Sequence, residues 1–381
     1  MKIICDQQVL SKALNTVSKA ITQRTTIPVL KGILMTATAD NKLKLTTSNL
    51  DLSIEKTIDV VVEEEGSIVV SDSRFFMDII RKLPKQQISI SVIENNKMLI
   101  KAMTSEVKCV VQSADEFPNT GELENITSQL SFNKEILKNM IKKTSFSASI
   151  DETKGIIVGV LIELEENSMN MAALDGFRMA VNRENMINER PEKIVISAKI
   201  INDINKILSE SDDEEDENVD FIISDKKAVM LLEGTKIIMR LMDGEFIKYK
   251  EILPAESSIK IKANRSLMIE AIERASLLAK EGRNNLIRVG VLENIMTISS
   301  ASDEGSVKED IMIEKTGDDI EIGFNSKYIM DALKVIEDEE VKLFGGHLKE
   351  AYICYTGEIV VSPVELNLIR SKETGMNIWK F

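Results

Sequence analysis

The chain has 381 residues, 43% hydrophobic and 29% charged, with a formal charge of −14 at pH 7. That length exceeds one ordinary hydrophobic core and asks for two or three domains. No apolar run approaches the roughly 18 residues of a membrane span, and no signal-peptide core opens the sequence. Cys5, Cys109 and Cys354 are too few and too far apart for a disulfide framework or a metal site, so they read as reduced, buried thiols of a cytoplasmic protein.

The N-terminal strand Lys2–Cys5 leads into Asp6 as N-cap and a helix with Val9, Leu10, Ala13, Leu14 and Val17 on its apolar face. Residues 24–57 are strand-rich, with a turn at Asp40-Asn41. A short apolar run, Ile68–Val70, then enters Asp72-Ser73, both good N-caps, and an amphipathic helix with Phe75, Phe76, Ile79, Ile80 and Leu83. Pro84 ends that helix, and its other side carries Arg74, Arg81, Lys82 and Lys85 against Asp78. Alternating segments at Ile88–Ile93 and Met98–Ala102 flank a turn at Glu94-Asn95-Asn96. The loop Ala114–Asn119 closes the first third.

The plan then restarts twice. Gln129–Phe132 leads through Asn133 into a helix with Ile136, Leu137, Met140 and Ile141, and Lys193–Ile196 leads through Ser197 into one with Ile200, Ile201, Ile204, Ile207 and Leu208. The tract Glu210–Glu217 follows, seven acids in eight residues. It reads as an exposed loop rather than a calcium site, because no glycine supplies the turn. Ile259–Lys262 leads through Asn264 into a helix with Leu267, Met268, Ala271, Ile272 and Ala275. Ile320–Gly323 leads through Asn325 into one with Tyr328, Ile329, Ala332, Leu333 and Ile336. Asp6, Asn133 and Asn264 lie 127 and 131 residues apart, and Asp72, Ser197 and Asn325 lie 125 and 128 apart. A duplication of that period predicts three similar α+β domains, 1–122, 123–254 and 255–381, each of two βαβββ-like halves.

These six helices hold seventeen Lys or Arg against six Asp or Glu, although the whole chain is acidic. Lysines populate exposed helix faces for reasons of propensity alone. The same bias in six repeated helices instead suggests a surface for a polyanion, contacted through phosphates without reading sequence. Enzyme chemistry is poorly represented. His347 is the only histidine, no nucleotide-phosphate loop or metalloprotease motif occurs, and Asp175-Gly176 reads as a turn without a catalytic partner. Aromatic residues make up only 4% of the chain, which disfavours binding single strands by base stacking. Neither a cofactor nor a metal is expected.

Several segments resemble the bacterial β sliding clamp family, the processivity factors of replicative DNA polymerase: RTTIPVLKGILM (24–35), ADEFPN (114–119), DGFRMAV (175–181), LMDGEFIKYKEILP (241–254), EIGFNSKYIMDAL (321–333) and VVSPVEL (360–366). The resemblance implies the DNA clamp fold in a head-to-tail homodimeric ring, helices lining the hole and sheets outside. It implies a non-catalytic subunit that encircles duplex DNA and tethers polymerase, loader and other partners. A clamp-like paralogue that scaffolds or inhibits proteins without encircling DNA is the alternative. By resemblance Arg24 faces DNA, with Lys12, Arg74, Arg81, Lys138, Lys142, Lys199 and Lys206 as companions.

A groove for partner peptides would use Ile157, Leu174, Gly176, Phe177, Arg178, Met179, Ile247, Ile252, Tyr328, Val360, Val361, Ser362, Pro363 and Val364, and the ring interface would set Leu277 and Leu278 against Val107 and Cys109 of a second copy. The departures cluster at the groove. Ile247 stands where the family usually has Pro, Phe177 where it has His, Ser362 where it has Met or Leu, and Glu251 near a usual Arg. Glu365 replaces an Arg near the family's usual end, and a tail from about 367 to Phe381 holds the only tryptophan, Trp379. That tail is compatible with an unfolded extension, a packed strand or an apolar segment near the groove. Such departures are those a divergent second clamp of one cell would show.

Overall fold

The computed structural model describes residues 1–93, 96–121, 123–188, 190–210, 218–252, 257–280, 285–345, 351–354, 367–370 and 377–380, with backbone only for Ile252 and beyond residue 345. Seven helices occur among them: α1 (Gln7–Ser18), α2 (Ser73–Lys82), α3 (Lys134–Thr144), α4 (Ala198–Glu210), the single turn α5 (Tyr249–Ile252), α6 (Arg265–Ala279) and α7 (Ser326–Val335). The six longer ones are those predicted, each fed by a strand, and side chains cap the starts of five of them. Asp6 Oδ1 accepts from Gln8 and Val9 N–H (2.8 and 3.1 Å), and Asp72 from Phe75 (2.9 Å). Asn133, Asn264 and Asn325 accept from Glu135, Leu267 and Lys327, each at 3.0 Å. Each such cap satisfies an otherwise orphaned helix donor, worth about 1 kcal/mol.

Two helix details differ from the expectation. α2 stops at Lys82, and Leu83 is extended (φ −67°, ψ 156°), because the ring of Pro84 excludes the preceding residue from helical geometry. Val9, Phe75, Ile136 and Leu267 were expected on apolar faces but are exposed. Each begins an adjacent apolar pair, and a helix turning 100° per residue sends only one of two neighbours fully inward. Their successors Leu10, Phe76, Leu137 and Met268 are buried.

The chain divides into two compact units, residues 1–135 with 206–241, and residues 136–205 with 242–381. The first unit holds a thirteen-stranded sheet running from Ile126–Asn133 to Val61–Glu64. Its strands Leu52–Asp59 and Thr235–Arg240 pair antiparallel, Ile237 opposite Ile54. α1 and α2 bury Leu10, Leu14, Val17, Phe76 and Ile80. Polar groups tie them in: Gln7 Nε2 donates to Ile80 O (2.6 Å) and Thr47 Oγ1 to Val17 O (2.5 Å).

The second unit holds a four-stranded sheet, in the order Met179–Asn185, Ser168–Leu174, Gly159–Glu165, Glu192–Ser197, and a seven-stranded sheet. α6 packs on the latter and buries Met268, Ala271, Ile272 and Ala275. The tail forms a hairpin, Asn367–Arg370 with Asn377–Lys380, in which Leu368 lies opposite Trp379. Cys5 and Cys109 are buried and unbridged, as expected; Cys354's side chain and His347 lie outside the described residues.

Candidate nucleic-acid and partner surfaces

The basic residues proposed for DNA sit largely on exposed helix faces. Lys12, Arg74, Arg81, Lys142, Lys199 and Lys206 are exposed, as is Arg24 in the loop after α1, whereas Lys138 is half-buried. In the first unit, α1 and α2 frame a shallow concavity lined by Ser11, Lys12, Asn15, Asp78, Arg81 and Lys85. Some of the expected contacts are engaged within the chain, among them Lys142 with Glu337 (2.8 Å) and Arg81 with Asp78 (2.6 Å). Exposed pairs of this kind are worth little and exchange readily for a phosphate. Of the acidic tract, Glu210 is not a loop residue but the last residue of α4. It accepts from Lys19 (2.6 Å) and Asn15 (3.0 Å) of α1, and the rest of the tract lies outside the described residues. Among the described residues no cluster of acids, Cys or His could hold a metal.

Four of the expected groove residues, Gly176, Phe177, Arg178 and Tyr328, meet at one turn. Asp175 Oδ1 accepts from the N–H groups of Phe177 (2.8 Å) and Arg178 (3.0 Å), closing the turn across Gly176. Gly176 has φ +94°, which a side chain would strain. The turn holds Phe177 outward, 49% exposed, with its ring stacked on Tyr328 at 6.4 Å between centroids. Lys154 Nζ lies 5.3 Å from the Phe177 ring centre, a cation–π contact. Ile247 is 41% exposed, Ile157 is half-buried, and Leu174 and Met179 are buried in the floor. Phe177, Tyr328, Ile320, Ile322 and Phe324 line one apolar cavity. Burial and the Asp175 carboxylate raise the Tyr328 phenol above its ordinary value. The side chain of Ile252, and Val360, Val361, Ser362, Pro363 and Val364, lie outside the described residues.

Arg178 was expected on the groove surface, but it is 7% exposed and its guanidinium is fully engaged. Nε donates to Asp175 Oδ2 (3.1 Å), Nη1 to Asp331 Oδ2 (2.7 Å) and Nη2 to Phe146 O (2.7 Å), while its carbon sits 4.6 Å from the Tyr328 ring centre. Only the planar fork of Arg serves three acceptors while stacking on an aromatic face. Arg178 therefore ties the 175–178 turn to α7 and to the Phe146 backbone. Phe146, Lys154 and Asp331 escaped the sequence reading. Asp331 had a signal, since it follows Tyr328 by three residues on a helix; Phe146, which meets Arg178 through its backbone oxygen and, at 5.4 Å, its ring, had none.

At the expected ring interface, Val107 is half-buried and Cys109 is buried in its own sheet, where burial raises its thiol pKa; the exposed neighbour is Val110. Alternation along the strand explains the difference, since successive side chains point to opposite faces. At the end of α6, Leu277 is 64% exposed and Leu278 half-buried. Both regions adjoin incomplete pairing. Strand Ser105–Ser113 pairs with Lys97–Ala102 along residues 105–110 and with Gly66–Val70 only at residues 111–113. Strand Gly305–Thr316 pairs with Ile295–Ser302 along residues 305–312 and with Ile259–Asn264 only at residues 313–316. Among the described residues, the first half of each long strand is therefore paired on one side alone.

Three family models match in succession: the N-terminal domain of DNA polymerase III beta subunit over residues 1–121, its central domain over 131–248 and its C-terminal domain over 250–366. A beta sliding clamp from Staphylococcus epidermidis is 35% identical over 88% of this chain and 90% of that protein. One from Staphylococcus aureus is 34% identical over 93% and 95%. The crystal structure of a DNA polymerase sliding clamp from Bacillus subtilis superposes with a TM-score of 0.90 at 31% identity, covering 96% of this chain and 99% of that one. The DNA polymerase III beta subunit from Pseudomonas aeruginosa, solved bound to griselimycin, superposes with 0.87 at 26% identity, covering 96% and 100%. With its three repeats matched in order over nearly its whole length, the chain belongs to the DNA polymerase III beta subunit family of sliding clamps.

Proposed function

We propose that this protein is a DNA sliding clamp, a non-catalytic processivity subunit that encircles duplex DNA and holds a polymerase to it. The observation that carries the reading is the threefold strand–cap–helix repeat with basic helix faces, matched in order by three clamp domains within residues 1–366. Lys12, Arg24, Arg74, Arg81, Lys138, Lys142, Lys199 and Lys206 contact phosphates diffusely. Such contacts fix no register, so the ring slides, while encirclement rather than affinity retains it. The domain division is 1–122, 123–254 and 255–381, with the extension from about 367. A clamp working on chromosomal DNA is cytoplasmic, and no helix among the described residues is long and apolar enough to cross a membrane.

The half-paired strands at Val107 and Leu277's domain favour a head-to-tail homodimer, because an open sheet edge is most simply covered by the complementary edge of a second copy. The groove at Phe177, Ile247 and Tyr328 receives short linear motifs of polymerase and clamp loader, with apolar side chains entering beside the Phe177–Tyr328 stack. Griselimycin, held by the Pseudomonas aeruginosa relative, is the probe for this site. Retention after loading onto nicked circular DNA, with release when the circle is linearised, tests the ring. Release at equal rates from both forms would refute encirclement. Griselimycin binding that weakens at least tenfold in Phe177→Ala tests the groove; unchanged binding would refute its placement.

A further inference from the structure

A buried carboxylate stands apart from the residues assigned to the groove. Glu163, in strand Gly159–Glu165, is 2% exposed, yet four donors reach it. Tyr249 Oη donates to Oε2 at 2.6 Å, Lys250 Nζ at 2.8 Å and Asn170 Nδ2 at 3.2 Å, and Lys193 Nζ approaches Oε1 at 2.9 Å. Lys250 also bonds Glu165 at 2.5 Å. Tyr249 and Lys250 begin the single turn α5, in the segment that follows strand Thr235–Arg240, two and three residues after Ile247. Tyr249 N–H donates to Ile247 O (2.7 Å), so the hooked residues and the groove residue are directly bonded. Tyr249 belongs to the same buried cluster as Leu174 and Met179, with Ile157 at its edge.

A buried charge costs several kcal/mol unless it is paired and hydrogen-bonded. Here two of the four donors, Asn170 and Lys193, come from the neighbouring strands and two, Tyr249 and Lys250, from the connecting segment, so the charge is fully stabilised only while that segment is docked. Apolar packing alone would let the segment slide; a charged acceptor with directed donors fixes one position.

We infer that Glu163 is a positioning residue, the anchor that locks the Tyr249–Lys250 hook and so sets where Ile247 stands in the partner groove. The inference rests on the groove reading above. It is tested by hydrogen exchange on the full chain together with griselimycin binding, in wild type, Tyr249→Phe and Glu163→Gln. Losing one charge-assisted hydrogen bond predicts about ten- to a hundredfold faster exchange of the amides near Tyr249 in either variant. Griselimycin affinity should fall at least about threefold, with Phe177 and Tyr328 unaltered, and Glu163→Asp should recover part of both effects. Unchanged exchange in both variants would overturn the anchor. Faster exchange with unchanged affinity would overturn its role in positioning. Absence of griselimycin binding in wild type would defeat the groove assignment, while exchange would still decide the anchor.

Discussion

Replacing Arg178 with Lys should cost this protein far more than its conservative character suggests. The guanidinium serves Asp331 at 2.7 Å, the Phe146 carbonyl at 2.7 Å and Asp175 at 3.1 Å. A lysine ammonium in the same space reaches one of the three. Hydrogen bonds to charged groups contribute about 1.5–3 kcal/mol each, and the stack on Tyr328 adds about 1 kcal/mol. Asp175 keeps the backbone donors of Phe177 and Arg178, and Asp331 regains water, which offsets about half of the loss. The expected net cost is about 3 kcal/mol, or roughly 10 °C in the midpoint of the unit that contains it. Urea and thermal unfolding of wild type, Arg178→Lys, Asp331→Asn and the double variant give the coupling directly. A loss below about 1 kcal/mol for Arg178→Lys, or additive single losses, would refute the reading of Arg178 as the hub of the 175–178 turn.

Acid stability follows from Glu163. Burial pushes its carboxyl up, but the hydrogen bonds from Lys250, Tyr249 and Lys193 together outweigh burial and hold it at about 2, below the ordinary 4.5. A depressed carboxyl contributes stability that is complete above its unfolded value and is lost as pH falls from about 4.5 towards 2, here roughly 3 kcal/mol. The acid limb of unfolding should flatten in Glu163→Gln, and identical limbs would contradict this account. In the dimer, Leu277→Asp should move the solution mass from about twice 42.6 kDa to 42.6 kDa at micromolar protein; light scattering decides, and an unchanged dimer would remove Leu277 from the interface. On DNA, each of Arg74→Gln and Lys199→Gln should lower the slope of log affinity against log salt by about 0.9 per lost phosphate contact. An unaltered slope in a salt titration would place that residue off the DNA path.

Alternating strands, polar caps and paired apolar residues are local signals, and they placed all six long helices and five of their caps from the sequence. Repetition of those signals over some 127 residues gave the threefold plan, and the charge bias of the helices pointed to a polyanion. Helix residues are spaced by a fixed geometry, so faces can be read without knowing what they pack against. Tertiary structure decided what that geometry leaves open. Cys109 turned inward, Lys142 found Glu337, and Glu210 joined α4 and met α1 rather than standing in a solvated loop. The sharpest case is Arg178, legible as a cation beside an aromatic turn but buried among an acid on α7, a backbone carbonyl and a tyrosine ring. Glu163 likewise reads as one acid in an alternating strand. Its four donors are brought to it by two other strands and by α5, and contacts between residues distant in the chain leave no periodic trace in a single sequence.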